Sequence, residues 1–318
     1  MKYSGIGGQA VIEGIMMMKG EDYAVAVRRP DKEIEVKKDT YQSITKKAKI
    51  LQLPFVRGVF RFADSMIIGM RSLTYSASFF EDDEDAEPGK FEQFLDRVFG
   101  EKLESAIMAA VLVISFILAI GIFMLLPLGI ANLFKGIITS DHLMAVLEGV
   151  IRIAIFIIYI KLVSRMEDIR RTFMYHGAEH KCINCVEHGH PLTVKYVRES
   201  SKEHKRCGTS FILIVMVISI LMFMVIRVDT IWMRILSRII LVPVIAGISY
   251  EVLQCAGRSN SKFMDLVSRP GMWMQGLTTK EPDDSMIEVA IAATEAVFDW
   301  REYLTENFPG WEKQLEES

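Results

Sequence analysis

Cysteine is scarce, with four residues in 318, and Cys182, Cys185 and Cys207 fall within one stretch. A secreted disulfide scaffold needs denser and more evenly spread cysteine, so that class is excluded, and the clustering favours metal or thiol chemistry. Cys255 stands alone and reads as a small buried apolar residue. Neither charge sign dominates: the net charge is −3. No global basic field exists to attract nucleic acid, and none is expected as a partner. The opening MKYSGIGGQAVIEG lacks a charged region followed by an apolar run, so no signal peptide is expected. Gly5, Gly7 and Gly8 precede a strand pattern rather than a helix, which argues against a phosphate loop. There is no internal repeat, and the composition excludes a disordered chain or a collagen.

What is abundant is apolar residues, at 51%, while charged residues still make up 24%. Mean hydropathy is +0.25. This combination implies a chain partly embedded in lipid and partly facing water. A bilayer core takes about 20 apolar residues in a helix. Ser105–Phe134 carries no charge and forms the first expected span, with Pro127 and Gly129 marking its end or a kink. Gly208–Ile226 is equally free of charge. Met144–Val163 carries Glu148 and Arg152, four apart and able to pair. Ile231–Tyr250 carries Arg234 and Arg238 near Trp232, an interfacial anchor. The expected fold class is an α-helical polytopic membrane protein of about four transmembrane helices. A small cytoplasmic N-terminal β-rich region and a cytoplasmic C-terminal helical tail accompany them.

Lysine and arginine set the orientation. Residues 1–104 hold sixteen, 135–143 one, 164–209 nine, 227–230 one, and the tail after Tyr250 six. The positive-inside rule then places both termini and the 164–209 loop in the cytoplasm. Four regions follow: 1–50, β-rich; 51–104, amphipathic helices and an acidic linker; 105–250, the membrane domain; and 251–318, the tail.

Within the first region, Gln9–Met18, Tyr23–Arg29 and Glu33–Lys38 read as strands, the last two joined by a turn at Arg29–Lys32. Pro54–Leu73 reads as an amphipathic helix lying on the membrane or, equally, as a core helix of the N-terminal domain. Glu81–Glu87 reads as a solvated linker, and Phe91, Phe94, Leu95, Val98 and Phe99 as an apolar stripe leading into the first span. In the tail, Pro270–Met274 reads as an apolar loop, and a helix is expected from Glu281 to about Tyr303.

The chemistry concentrates in Tyr175–Phe211. His176-Gly177-Ala178-Glu179-His180 puts two imidazoles on one helix face, four residues apart, with a carboxylate beside them. This is the H-x-x-E-H arrangement of zinc hydrolases, which need a third protein ligand and an open position. Cys207, His204 or Glu251 can supply the third. A competing reading is a closed structural site of Cys182, Cys185, His204 and Cys207. The segment's lysines and arginines suit anionic lipid.

The stretches GGQAVIEGIMMM (7–18), YHGAEHK (175–181), RCGTSF (206–211) and GLTTKEPDDSMIEVAI (276–291) resemble the YqhQ-like family of bacterial polytopic membrane proteins, over nearly the whole chain. The family, of undetermined function, is described as metal-dependent. The resemblance implies His176, Glu179, His180 and Cys207, together with Gln9 and Glu13, as shared positions. Cys182 falls outside the motif, which weakens the closed site. The function expected is a zinc- or other divalent-metal-dependent hydrolase-like enzyme at the cytoplasmic membrane face. Its metal ligands would be His176, His180, Cys207 and His204, with Glu179 as general acid/base and Glu13 completing the shell. The alternative is a non-enzymatic scaffold or assembly factor with a structural metal or hydrogen-bonded cluster, using its Met16–Met18 and Met272–Met274 patches to bind partners. A transporter is a weaker third reading. Membrane lipid is the expected partner, and a homo-oligomer a second expectation.

Overall fold

A computed structural model describes residues 2–80, 103–226, 230–258 and 261–315. The acidic linker and the apolar stripe before the first span lie outside these residues. The chain divides into two compact units, one of residues 1–80, 160–222 and 226–318, the other of 81–159 and 223–225.

In the first unit, four strands form an antiparallel meander: β1 (Ile6–Val11), β2 (Gly14–Lys19), β3 (Asp22–Arg28) and β4 (Ile34–Thr40). The expected single strand at Gln9–Met18 is instead a hairpin reversing at Ile12-Glu13, where Val11 pairs with Gly14. Glu13 has φ 48°, a left-handed conformation that disguises the turn because glycine, not glutamate, usually supplies it. The Met16–Met18 run is no docking patch, since Met16 and Met17 are buried. β2 has core on both faces, so its apolar residues run on without alternation. One face packs Val11, Met16, Val25 and Val27 with Ile68 of α1 (Val56–Ala77). The other packs Ile15, Met17 and Ala26 with Tyr175, Ala178 and Ile183 of α5 (Glu167–Glu187), and with Ile287 and Ala290 of α10 (Asp284–Val297).

α1 is therefore half a core helix. Asp64 is buried on it and accepts from Tyr41 Oη (2.9 Å), Ser43 Oγ (2.5 Å) and the Ile44 amide (3.0 Å). Its opposite face leaves Phe62, Met66 and Met70 exposed.

Four helices are long and apolar enough to cross a membrane: Val113–Asn132, Asp141–Val163, Gly208–Val225 and Ile235–Ala256. The first comprises α2 (Leu103–Ile120), a wider π turn at Gly121–Leu125 and α3 (Leu126–Asn132). Pro127, which lacks an N–H, follows the wide turn at the start of α3. Phe123 packs edge-on to Tyr159 of α4 (Asp141–Val163), and Glu148 and Arg152 of α4 pair at 2.7 Å. After the short α6 (Val194–Glu199), α7 (Gly208–Val225) and α8 (Ile231–Arg258) supply the other two spans. Cys255 is exposed on α8 rather than buried, because an apolar side chain on a membrane helix gains nothing from protein over lipid.

The tail departs from expectation twice. Pro270–Met274 lies inside α9 (Lys262–Thr278), whose start is capped by Ser261. Close packing overrides the Pro-Gly break: a Cβ on Gly271 would sit 2.6 Å from Ser210 Oγ of α7. The expected helix from Glu281 is two helices, α10 and α11 (Trp300–Asn307). Asp283 caps α10 and Asp299 caps α11, so the second acidic cap interrupts the run.

Candidate metal site

The H-x-x-E-H segment lies on α5, a separate helix from the second span, since the chain turns at 164–166 before α5 begins. His176 and His180 share one face, their rings 4.4 Å apart. Each imidazole is held by its Nδ1. That of His176 meets the Thr278 carbonyl at 2.9 Å, and that of His180 meets the Lys202 carbonyl at 2.6 Å. A carbonyl only accepts, so each Nδ1 donates, which leaves Nε2 as the nitrogen able to bind a metal. This is the orientation in which a backbone partner prepares a histidine to bind a metal.

The Nε2 of His176 faces Cys207 Sγ at 3.3 Å. Cys207 is the N-cap of α7, where its sulfur accepts from the Thr209 amide at 3.4 Å. The ligand atoms of His176, His180 and Cys207 all lie within 4.8 Å of one another, so the three can hold a metal ion. Tetrahedral coordination at ordinary Zn–N and Zn–S lengths spaces donors by roughly 3.3–3.8 Å. The His176–Cys207 pair already has that spacing, and the group needs only slight contraction.

Glu179 is buried between the two histidines in sequence and accepts from the Gly8 amide of β1. Burial pushes its carboxyl up, while His176 and the Gly8 N–H pull the other way. A Cβ on Gly8 would stand 2.6 Å from the Met16 carbonyl and 3.0 Å from Glu179 Cγ, so glycine lets β1 lie against α5. Gly177 works likewise on the tail side. A Cβ there would come within 2.0 Å of the Lys280 carbonyl, and the Lys280 amide donates to the Phe173 carbonyl at 2.9 Å. This contact brings Thr278 to His176.

The other candidates sit elsewhere. Glu13 is bound through both carboxylate oxygens to Arg171 and receives the Tyr175 hydroxyl at 3.3 Å. It grips α5 one turn before His176 and stands outside the three-donor group. His204 also stands outside that group. Its Nε2 faces Glu187 at 3.4 Å and burial lowers its pKa. Glu251 pairs with Arg57 at 2.6 and 2.7 Å. Cys182 and Cys185 lie in the apolar core. Burial pushes the Cys185 thiol up to about 12 and the Cys182 thiol well above the ordinary range. Neither belongs to a donor group that could hold a metal ion among the described residues.

Several residues that hold the site have no role readable from a motif. Lys181 Nζ donates to the Arg198 and Ser200 carbonyls, both at 2.8 Å, and Asn184 Nδ2 to those of Ser201 (2.6 Å) and Glu203 (2.9 Å). With His180 they fasten the 198–203 backbone to α5. Gln275 is buried and bridges the His204 amide (2.9 Å), the His204 carbonyl (2.8 Å) and Ser210 Oγ (2.9 Å). Glu187 accepts from the Ser4 amide (2.9 Å) and hydroxyl (2.8 Å) and from Arg206. Burial would raise its pKa, but His204, Arg206 and Ser4 together lower it to about 2.

Residues 53–300 match a family model described as a protein of unknown function, DUF1385. The chain belongs to the DUF1385 family. It is also 35% identical over 286 residues to the uncharacterized protein YqhQ of Bacillus subtilis, covering 90% of this chain and 89% of that protein. No solved structure matches. The family match covers α5, the 198–207 loop and the Thr278 contact, so the three-donor group lies wholly within it. Gln9 and Glu13 fall before its first residue.

Proposed function

We propose that this is a metal-dependent hydrolase of the bacterial cytoplasmic membrane, with zinc or a similar divalent ion on His176, His180 and Cys207. The observation that carries the reading is the group of His176, His180 and Cys207 ligand atoms within 4.8 Å of one another, with each Nδ1 held on a backbone carbonyl and the Nε2 of His176 facing Cys207. Three protein ligands, one short of a closed tetrahedron, are what a catalytic zinc site presents. A bound ion would supply Lewis acidity toward a water and a substrate oxygen. The chain supplies the rest. Thr278 and Lys202 fix the imidazoles. Glu179, held by Gly8, is the general acid/base: it takes a proton from the attacking water and returns it to the leaving group. The net reaction adds one water across the bond that is broken.

The lysine and arginine distribution supports a cytoplasmic position for this site. A scaffold is the competing reading, because the same donors also join α5 to the 202–207 loop and the tail. An ester and phosphoester screen on metal-loaded, detergent-purified protein separates the two. Glu179→Gln is expected to keep its metal and lose about 10²–10⁴-fold in turnover. A Glu179→Gln protein as active as wild type removes the hydrolytic role.

A further inference from the structure

α1 gives one face to the core and leaves another exposed. On the core side Ile68 packs with Val11, Met16 and Val25 of the sheet. Gly69 lies so close to β1 that a Cβ there would stand 2.5 Å from Gln9 Oε1. On the far side Phe62 (47% exposed), Met66 (51%), Met70 (53%) and Leu73 (39%) follow one another at helical spacing. The strip they form is roughly 17 Å long. A contiguous apolar surface of this kind marks contact with a membrane or a partner.

The packing of α1 says which. Its N-terminal half is seated on two of the helices that can cross a membrane. Arg57 donates to both carboxylate oxygens of Glu251 on α8, and the Phe55 amide donates to the same group at 3.2 Å. A Cβ on Gly58 would stand 2.7 Å from Tyr250 Cβ, and one on Gly247 would stand 2.2 Å from the Phe55 carbonyl. The Phe62 ring lies 5.8 Å from that of Phe211 on α7. Two consecutive spans put the start of the first and the end of the second on the same membrane face. Phe211 lies roughly 5 Å inside the start of the span Gly208–Val225, and Gly247 roughly 14 Å inside the end of the span Ile235–Ala256. An interfacial helix sinks its apolar face about 5–10 Å below the headgroups, within that range. The strip also continues an exposed apolar surface on both spans, at Ile212 beside Phe211 and at Val244 one turn before Gly247. Just before α1, Lys47 and Lys49 are exposed next to exposed Ile50 and Leu53, a basic and apolar mixture that suits anionic headgroups. We infer that α1 is an in-plane membrane helix, with its Phe62–Leu73 strip sunk in the headgroup–acyl boundary and its opposite face carrying the sheet. It does not cross the bilayer, because Asp64 and Ile68 are engaged with the sheet region on that opposite face. The inference does not rest on the hydrolase reading.

A nitrobenzoxadiazole label on single cysteines tests it in the full chain, in nanodiscs of phosphatidylcholine and phosphatidylglycerol. The background is Cys255→Ser, whose own label is subtracted. Phe62→Cys, Met66→Cys and Met70→Cys probe the strip. Leu221→Cys, exposed on α7, is the lipid reference, and Lys38→Cys, exposed on β4, the water reference. Met66 and Met70 carry the test if Phe62→Cys disturbs the contact with Phe211. Acyl chains brominated near the glycerol end should quench the strip labels at least about threefold more than the Lys38 label, and more than chains brominated near the methyl end do. Water-like emission with no quenching, as at Lys38, overturns the inference. Blue-shifted emission without quenching also overturns it, because the strip is then covered by protein, such as a second copy. Stronger quenching from the methyl end overturns the in-plane position.

Discussion

His176 and His180 are buried or half-buried imidazoles whose orientation is set by carbonyls far away in sequence, Thr278 and Lys202. Removing either ring takes away a donor and leaves its carbonyl to find water. Glu187 shows the opposite economy, a buried carboxylate with its charge fully met. Its folded pKa of about 2 lies below the ordinary value of 4.5. The stability it provides is therefore complete above pH ~4.5 and is lost as pH falls from there toward 2. Glu187→Gln should flatten thermal stability against pH across that window in detergent. At neutral pH it should cost about 3 kcal/mol, because Arg206 loses its charge partner. A variant that keeps the wild-type acid slope would refute this assignment. Glu13 breaks a local rule, with positive φ on a non-glycine residue, where its side chain is engaged by Arg171 and Tyr175.

At the level of elements, the two close approaches on α5 set different demands from glycines elsewhere. Gly177→Ala drives a Cβ into the Lys280 carbonyl and should destabilise the fold by about 1–3 kcal/mol, with loss of metal as Thr278 leaves His176. Gly7→Ala meets nothing within 4 Å and should change denaturation by less than about 0.5 kcal/mol. Equal effects of the two would contradict the packing described. The spans were readable from sequence because a membrane helix needs only length and apolarity. The meander was readable in its last two strands, but Gln9–Met18 read as one strand because the reversal at Glu13 was hidden by a residue that rarely makes such a turn. Pro270-Gly271 misled for the converse reason: breaker residues stayed helical where α9 meets α7. The histidine pair was legible from its spacing of four, and Cys207 from the RCGTSF resemblance. Asn184, Gln275 and Glu187 were not legible, and Lys181 was visible only as the end of YHGAEHK, because their work is to bind backbone or side chains that only the fold brings near.

For the whole molecule, the lysine and arginine distribution predicts that the metal site, the 198–207 loop and both termini share one side of the membrane. Cysteine labelling of intact cells with an impermeant maleimide, in a Cys255→Ser background, tests this. Thr139→Cys should label from outside, and Ser201→Cys only after permeabilisation; the reverse pattern would invert the topology. The central claim is more local, and metal per chain measures it most directly. Elemental analysis of detergent-purified protein grown with added zinc should find a single ion in wild type and in the Cys182→Ser/Cys185→Ser variant. It should find almost none in His176→Ala/His180→Ala or Cys207→Ala. Metal that survives loss of the histidines, or a wild-type protein that takes up none, would contradict the site.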